Sequence, residues 1–278
     1  RHSFKKFQDM KYLLILLLPL FISSCEDEPI PISYGPPNVT GDRKVIAEEF
    51  TGVICVNCPL GSDELKSLSA FYPGKVITIG VHSGFFATPH KDSKYDFRTP
   101  DGDYIFNLLG PANFYPSATF NRRNFNGSDL IYKQESWAGL VQEIVNGTAE
   151  AGLDLQISYN PDTRQLNAQV SGVAKKAVES PLYIHLLVTE SKIIDWQKYP
   201  NAEGHITDYE HNHVLRKLIT PFAGDKIKDS FTSGETFEKN YSYQLPNQWV
   251  AGNCSIVAYV SYANKGEILQ ADEENLAD

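Results

Sequence analysis

Apolar positions along this chain are spaced in three different ways. Tyr12 to Ser23 is almost unbroken (YLLILLLPLFIS); at about a dozen residues it is well short of the ~20 that a membrane-spanning helix needs and has the length of a signal-peptide core. From Lys44 the texture becomes that of an α/β unit. Val45 to Phe50 reads as a buried strand, Leu65, Leu68 and Phe71 recur at helical spacing up to the stop at Pro73-Gly74, and Val76 to Val81 is a second buried, β-branched strand. This β-α-β order calls for a right-handed parallel crossover. After an irregular stretch, Ser83 to Pro100, come a short helix around Tyr104 to Leu109, a third strand at Ser117 to Asn121 and a helix whose apolar face is Trp137, Leu140, Val141, Ile144 and Val145. Beyond Gly147 the period switches to two. Leu153/Leu155/Ile157/Tyr159, Leu166/Ala168/Val170, Leu182/Ile184/Leu186/Val188, Phe237/Tyr241/Tyr243/Leu245 and Ile256/Ala258/Val260/Tyr262 alternate with other residues, which predicts an antiparallel β-sandwich. The boundary between the two patterns falls near residue 148.

The first apolar run sets the address. Lys11 precedes it, Met10 is the single methionine and the expected start, and the ending Ile22-Ser23-Ser24-Cys25 resembles a bacterial lipobox, in which the cysteine is acylated after cleavage. The acidic Glu26-Asp27-Glu28 resembles the surface-export signal that follows the lipidated cysteine in Bacteroidetes lipoproteins, and reads equally well as the solvated start of a tether. Residues 1–24 are then a signal peptide and residues 25–42 a lipidated tether, whose Pro29, Pro31, Pro36 and Pro37 make it a semi-rigid spacer of up to ~50 Å. With 25 Lys+Arg against 34 Asp+Glu, a net charge of −9, the chain lacks the basic surface that nucleic acid or an anionic bilayer would require. The expected partner is the outer membrane, through acylated Cys25.

Chemistry concentrates at Cys55-Val56-Asn57-Cys58, directly after a strand and directly before a helix, where the helix N-terminus favours a thiolate. Glu49 lies six residues upstream, and Tyr115-Pro116-Ser117 opens the third strand. These residues resemble the thioredoxin-like proteins, which implies a thioredoxin-like domain over 43–147 with Cys55 as exposed nucleophile, Cys58 as resolving thiol, Glu49 as the buried acid and Pro116 as the cis-proline facing the disulfide. Pro59 departs from that pattern. The stretch Glu48-Glu49-Phe50-Thr51-Gly52 with Cys55 to Pro59, then Tyr115-Pro116-Ser117 with Asn121-Arg122, and Tyr209 to Arg216 (YEHNHVLR), resemble the twenty-eight-kilodalton outer-membrane protein family of Bacteroidetes. The implied fold class is α/β plus all-β, with residues 148–278 an immunoglobulin-like sandwich.

Other candidates carry less. His205, His211 and His213 lack a spaced cysteine or acid to complete a tetrahedron, so neither metal nor cofactor is expected. Asp101-Gly102-Asp103 is too short for a calcium loop and reads as a helix cap, Cys254 as an inward-facing hydrophobe, and His82 and His90 as exposed loop residues. Two functions stay open. One is a thiol-disulfide oxidoreductase acting on protein thiols or disulfides; the other is a surface module binding an extracellular ligand, with Cys55–Cys58 a structural disulfide. The anchor is testable at once: wild-type protein should incorporate radiolabelled palmitate and Cys25→Ala should not, and failure of the wild type to label would remove the lipoprotein assignment.

Overall fold

In the computed structural model, residues 39–125, 127, 129–263 and 266–276 are described; the leader, Cys25 and nearly all of the tether lie outside them. All seven residues of β1 (Val45–Thr51) are buried, as in a strand covered on both faces. The two-residue period sends Val45, Ala47 and Glu49 to one face and Ile46, Glu48 and Phe50 to the other. α1 (Cys58–Phe71) carries the chain to β2 (Val76–His82), which pairs parallel with β1 from Val45↔Val76 to Thr51↔His82. Pro59 sits in the first turn of α1, where a missing N–H is harmless. α2 (Pro100–Leu109) is capped by Thr99, whose hydroxyl accepts from the Gly102 amide at 2.9 Å. The aspartates after it are therefore not the cap; Asp101 accepts from Lys217 Nζ at 3.1 Å instead.

β3 (Ser117–Phe120) runs antiparallel to β1, β4 (Tyr132–Lys133) pairs with β3, and α3 (Trp137–Val145) follows. The rest of the chain is strand: β5 (Ala151–Asn160), β6 (Gln165–Ala174), β7 (Leu182–Glu190), β8 (Ile193–Lys198), β9 (His205–His211), β10 (Val214–Leu218), β11 (Asp225–Lys228), β12 (Thr236–Gln244), β13 (Cys254–Tyr262) and β14 (Ile268–Asn275). One large sheet has the order β14-β13-β7-β10-β2-β1-β3-β4, with β11 also on β7; β12-β6-β5 and the β8-β9 hairpin are separate. The molecule is thus mixed α/β, rich in strands and poor in helices. Strands from both sides of residue 148 share the large sheet, joined where β10 lies parallel to β2 at Val214↔Gly80 and the Gly80 amide donates to the His213 carbonyl at 2.7 Å. A Cβ at Gly80 would lie 3.2 Å from that carbonyl oxygen, so the close approach favours glycine.

Three apolar clusters hold these layers. Val45 and Ala47 pack with Leu65 of α1 and Trp137, Val141 and Ile144 of α3. On the opposite face, Ile46 and Phe50 join Ile77 and Ile79, Ile105 of α2, and Leu187, Val257 and Tyr259 from the far strands. The remaining face of β7 and β13 meets Leu155, Leu166, Val170 and Phe237 of the three-stranded sheet. Into the second cluster β1 projects a charge. Glu48, fully buried, accepts from Arg122 Nε at 2.9 Å, from a second guanidinium nitrogen at 2.6 Å and from Thr119 Oγ1 at 2.9 Å; Arg122 also donates to the Tyr259 hydroxyl at 2.9 Å. Asn121 and Arg122 reach this position through consecutive left-handed φ values of 50° and 48°.

Removing one partner strands the other in the core. Arg122→Met should therefore lose about 3–5 kcal/mol in urea unfolding, and the double variant Glu48→Gln/Arg122→Met should lose distinctly less. An Arg122→Met loss below ~1 kcal/mol would contradict this role.

Candidate functional site

The β1–α1 loop turns at Gly52, where the Cys55 amide donates to the Gly52 carbonyl at 3.0 Å. A Cβ at Gly52 would lie 2.2 Å from the Phe86 carbonyl oxygen, so the short 3-10 turn Phe85–Ala87 can rest directly on the loop. Cys55 and Cys58 are joined by a disulfide, with Cys58 the first residue of α1. The expectation of an exposed Cys55 is not met: it is 3% exposed and Cys58 1%. The Ser83–Pro100 stretch and the β8–β9 hairpin fold over the loop. What remains open beside Cys55 is a cleft of about 300 Å³, walled by Val56, Phe86, Phe114 and Tyr115, with Phe85 76% exposed nearby.

Beneath the loop lies Glu49. Ser62 Oγ is 3.0 and 3.1 Å from its two carboxylate oxygens and 3.4 Å from the Cys58 carbonyl, so one hydroxyl ties the acid to the turn that carries the disulfide. No cation pairs with Glu49 among the described ion pairs; burial, with a smaller push from Asp63, raises its carboxyl to about 8 against the ordinary 4.5. Tyr115–Pro116 is a cis peptide, as the resemblance implied. Gly61 lets the groups converge, since a Cβ there would lie 2.7 Å from Pro116 Cβ and 3.2 Å from Glu49 Oε1. The residues read from the sequence as Glu49, Cys55, Cys58 and Pro116 are thereby brought around the first turn of α1.

The periodicity of the chain gives no sign of the β8–β9 hairpin, which nevertheless contributes to the site. Asp195, fully buried, accepts from the Lys94 and Tyr95 amides at 2.8 and 2.9 Å. Gln197 Nε2 donates to the Cys55 carbonyl at 3.0 Å and lies 3.3 Å from that of Gly52, and the Lys198 amide donates to the Val53 carbonyl at 2.8 Å. Behind them is a cavity of about 410 Å³ lined by Glu49, Ser62, His82, Tyr209, His211 and His213, among others. His82 is therefore not an exposed loop residue; it ends β2, and burial lowers it to about 3. His211 is lowered by burial to about 4. Among the described residues no group of three or more His, Cys, Asp and Glu has metal-holding geometry. Cys254 is buried and its thiol is pushed up to about 12, the behaviour of an inward hydrophobe.

A family model for outer membrane protein Omp28 matches residues 110–277. The chain belongs to the Omp28 outer membrane protein family. That membership associates it with the outer membrane, and no helix among the described residues is long and apolar enough to cross one. The matched stretch begins after Cys58, so the disulfide loop lies ahead of it. Among solved structures, HBP35 of Porphyromonas gingivalis is similar at 18% identity, with 85% of this chain and 76% of that one covered and a TM-score of 0.65. Protein AGR_C_4864 from Agrobacterium tumefaciens is similar at 12% identity over 85% of this chain and 95% of that one, TM-score 0.50. A domain of the outer membrane lipoprotein Omp28 from Porphyromonas gingivalis aligns at 18% identity with 46% of this chain and 88% of the domain, TM-score 0.31. No curated protein sequence matches the Omp28-family chain.

The raised Glu49 makes stability pH-dependent with a definite sign. Below the unfolded value near 4.5 both states are protonated; between 4.5 and about 8 the unfolded chain releases a proton that the folded chain keeps, so stability falls as pH rises through this window. Glu49→Gln removes that dependence. Its melting temperature relative to wild type should rise between pH 5 and pH 8.5 by roughly 5 °C or more; a constant difference would show that Glu49 ionises normally.

Proposed function

We propose that this Omp28-family chain is a surface lipoprotein of the outer membrane, anchored through Cys25, with a thiol-disulfide exchange site at Cys55 and Cys58. Residues 43–147 are read as a thioredoxin-like unit and 148–278 as an immunoglobulin-like sandwich that extends its sheet. The observation that carries the redox reading is Glu49: a buried carboxyl with no cationic partner among the described residues, hydrogen-bonded through Ser62 to the turn that holds the disulfide. A disulfide that served only to staple the loop would gain nothing from an unpaired acid below it. A residue of that kind fits proton transfer at near-neutral pH.

In the proposed cycle a thiol reductant first opens Cys55–Cys58. The Cys55 thiolate, favoured at the start of α1, attacks one sulfur of a substrate disulfide, forming a mixed disulfide and releasing the other substrate sulfur as thiolate. Glu49 takes the proton from Cys58, whose thiolate then attacks Cys55 Sγ. The Cys55–Cys58 bond re-forms, the second substrate thiol leaves, and two electrons have passed to the substrate. The cleft walled by Phe86, Phe114 and Tyr115 gives that substrate access to Cys55. A structural disulfide, with ligand binding elsewhere, is the second reading, favoured by the burial of both cysteines.

Trapping separates the two. With a cystine-bridged peptide as substrate, Cys58→Ser should form a dithiothreitol-sensitive adduct through Cys55, visible as a mass increase, and Cys55→Ser should form none. If the wild-type disulfide resists millimolar glutathione and Cys58→Ser captures nothing, the exchange reading fails and the structural one stands.

A further inference from the structure

Trp196 lies between the two residues that fasten the β8–β9 hairpin. Asp195 before it accepts from the Lys94 and Tyr95 amides of the Ser83–Pro100 stretch, and Gln197 after it donates to the Cys55 carbonyl. The indole itself is buried and carries two imidazoles. His90, from the Ser83–Pro100 stretch, stacks on it with ring centroids 3.9 Å apart and planes 11° from parallel. His205, the first residue of β9, stacks at 5.7 Å and 20°. Both imidazoles are half-buried, so they exchange protons with solvent.

A neutral imidazole on an indole is an ordinary aromatic contact. An imidazolium in the same place adds the attraction of a cation for the negative face of the ring, and both centroids lie within the ~6 Å over which that attraction acts. We propose that His90, Trp196 and His205 form a pH-operated clasp that tightens the hairpin over the disulfide loop when the histidines are protonated and slackens it when they are neutral. Histidine gains its charge on going from pH 8 to pH 5. Closure that brings the rings onto Trp196 favours the protonated form, and by linkage protonation favours closure, so the clasp is strongest in acid. Gln197 and the Lys198 amide hold the Cys55 and Val53 carbonyls, so slackening the hairpin frees the loop that carries the disulfide.

The neighbouring charges set how much each histidine contributes. On the Ser83–Pro100 stretch, His90 Nδ1 accepts from the Asp92 amide at 3.3 Å and lies 3.4 Å from the Asp92 carboxylate, which receives the ring once it is charged. The Lys94 ammonium is turned to the Ile194 carbonyl at 3.5 Å. On β8, Asp195 is fully buried and taken up by backbone amides, while Lys198 is exposed and opposite His205 in the register. In the turn between the strands, His205 Nδ1 lies 3.0 Å from the Glu203 carbonyl and donates to it, which leaves Nε2 to take the second proton. Asp92 thus favours a charge on His90 and Lys198 opposes one on His205, so His90 carries the larger share.

The clasp rests on the exchange reading only for its use, and it is tested on the oxidised full chain, without turnover. The ring protons of His90 and His205 are titrated by NMR from pH 5 to 9 in wild type and Trp196→Leu. Hydrogen exchange of the Lys198 amide, corrected for its intrinsic rate, is compared at pH 5.5 and pH 8 in wild type and His90→Gln/His205→Gln, with thermal unfolding to confirm that each variant folds. The His90 midpoint should fall by about 0.4–0.7 unit in Trp196→Leu, and the gain in Lys198 protection from pH 8 to pH 5.5 should be about two- to fivefold larger in wild type than in the double variant. The proton on Glu49 also favours the folded form in acid, but equally in both proteins, so their difference isolates the clasp. A His90 midpoint unmoved by Trp196→Leu, or the same pH dependence of Lys198 protection in both proteins, overturns the proposal. If trapping at Cys55 fails while both effects are seen, the clasp stands and only its redox use is lost.

Discussion

Two adjacent carboxylates on one buried strand constrain everything around them. β1 is covered on both faces, and its alternation sends Glu48 and Glu49 into opposite layers. Neither can be left to itself, because burying a charge without compensation is costly. The two faces solve the problem differently. Glu48 receives Arg122, Thr119 and, through Arg122, Tyr259 of β13. Glu49 receives one serine hydroxyl and, among the described residues, no cation, and burial raises its carboxyl to about 8. One acid sits in an ion pair and the other in a hydroxyl contact, although they are neighbours in sequence.

Both solutions draw on residues distant in the chain. Tyr259 comes from β13 to the ion pair, and Tyr209 of β9 lines the cavity beside the acid. The large sheet makes this possible, since β10 adds to β2 and carries β7, β13 and β14 into register with β1. The β8–β9 hairpin leaves the sheet just before β10 and is therefore held directly over the disulfide loop. An Omp28-family chain built in this way does not have a site confined to its first half. The helical layer supplies Cys58 and Ser62, and the strand-rich part supplies Gln197 and Lys198, which hold the loop.

How much of this the sequence reveals depends on what the inward-facing residues are. Where they are apolar, spacing is a reliable guide: β1, α1, β2, α3 and the strands β5, β6, β7, β12 and β13 all lie where the periodicity predicts. Where they are polar, the same rule is blind. β8 turns Asp195 and Gln197 inward and β9 turns Tyr209 and His211 inward, so the hairpin reads as a polar connection. β4, only two residues long, and β10, tied to β2 by a single register pair, offer too little pattern to detect. At the site, Cys55, Cys58, Glu49 and Pro116 were legible because a motif places them in order along the chain. Ser62 was not, because its contact with Glu49 exists only once α1 packs on β1. The burial of Cys55 was illegible for the same reason: Phe86 and Gln197, which cover it, are distant in sequence.

The central claim is that the disulfide above Glu49 is built to open and close. Its reduction potential, measured by equilibration with dithiothreitol or glutathione redox buffers at pH 7, tests this most directly. The account predicts a value in the range of exchanging disulfides, about −270 to −120 mV. A value below about −300 mV would mark Cys55–Cys58 as a structural bond and contradict it.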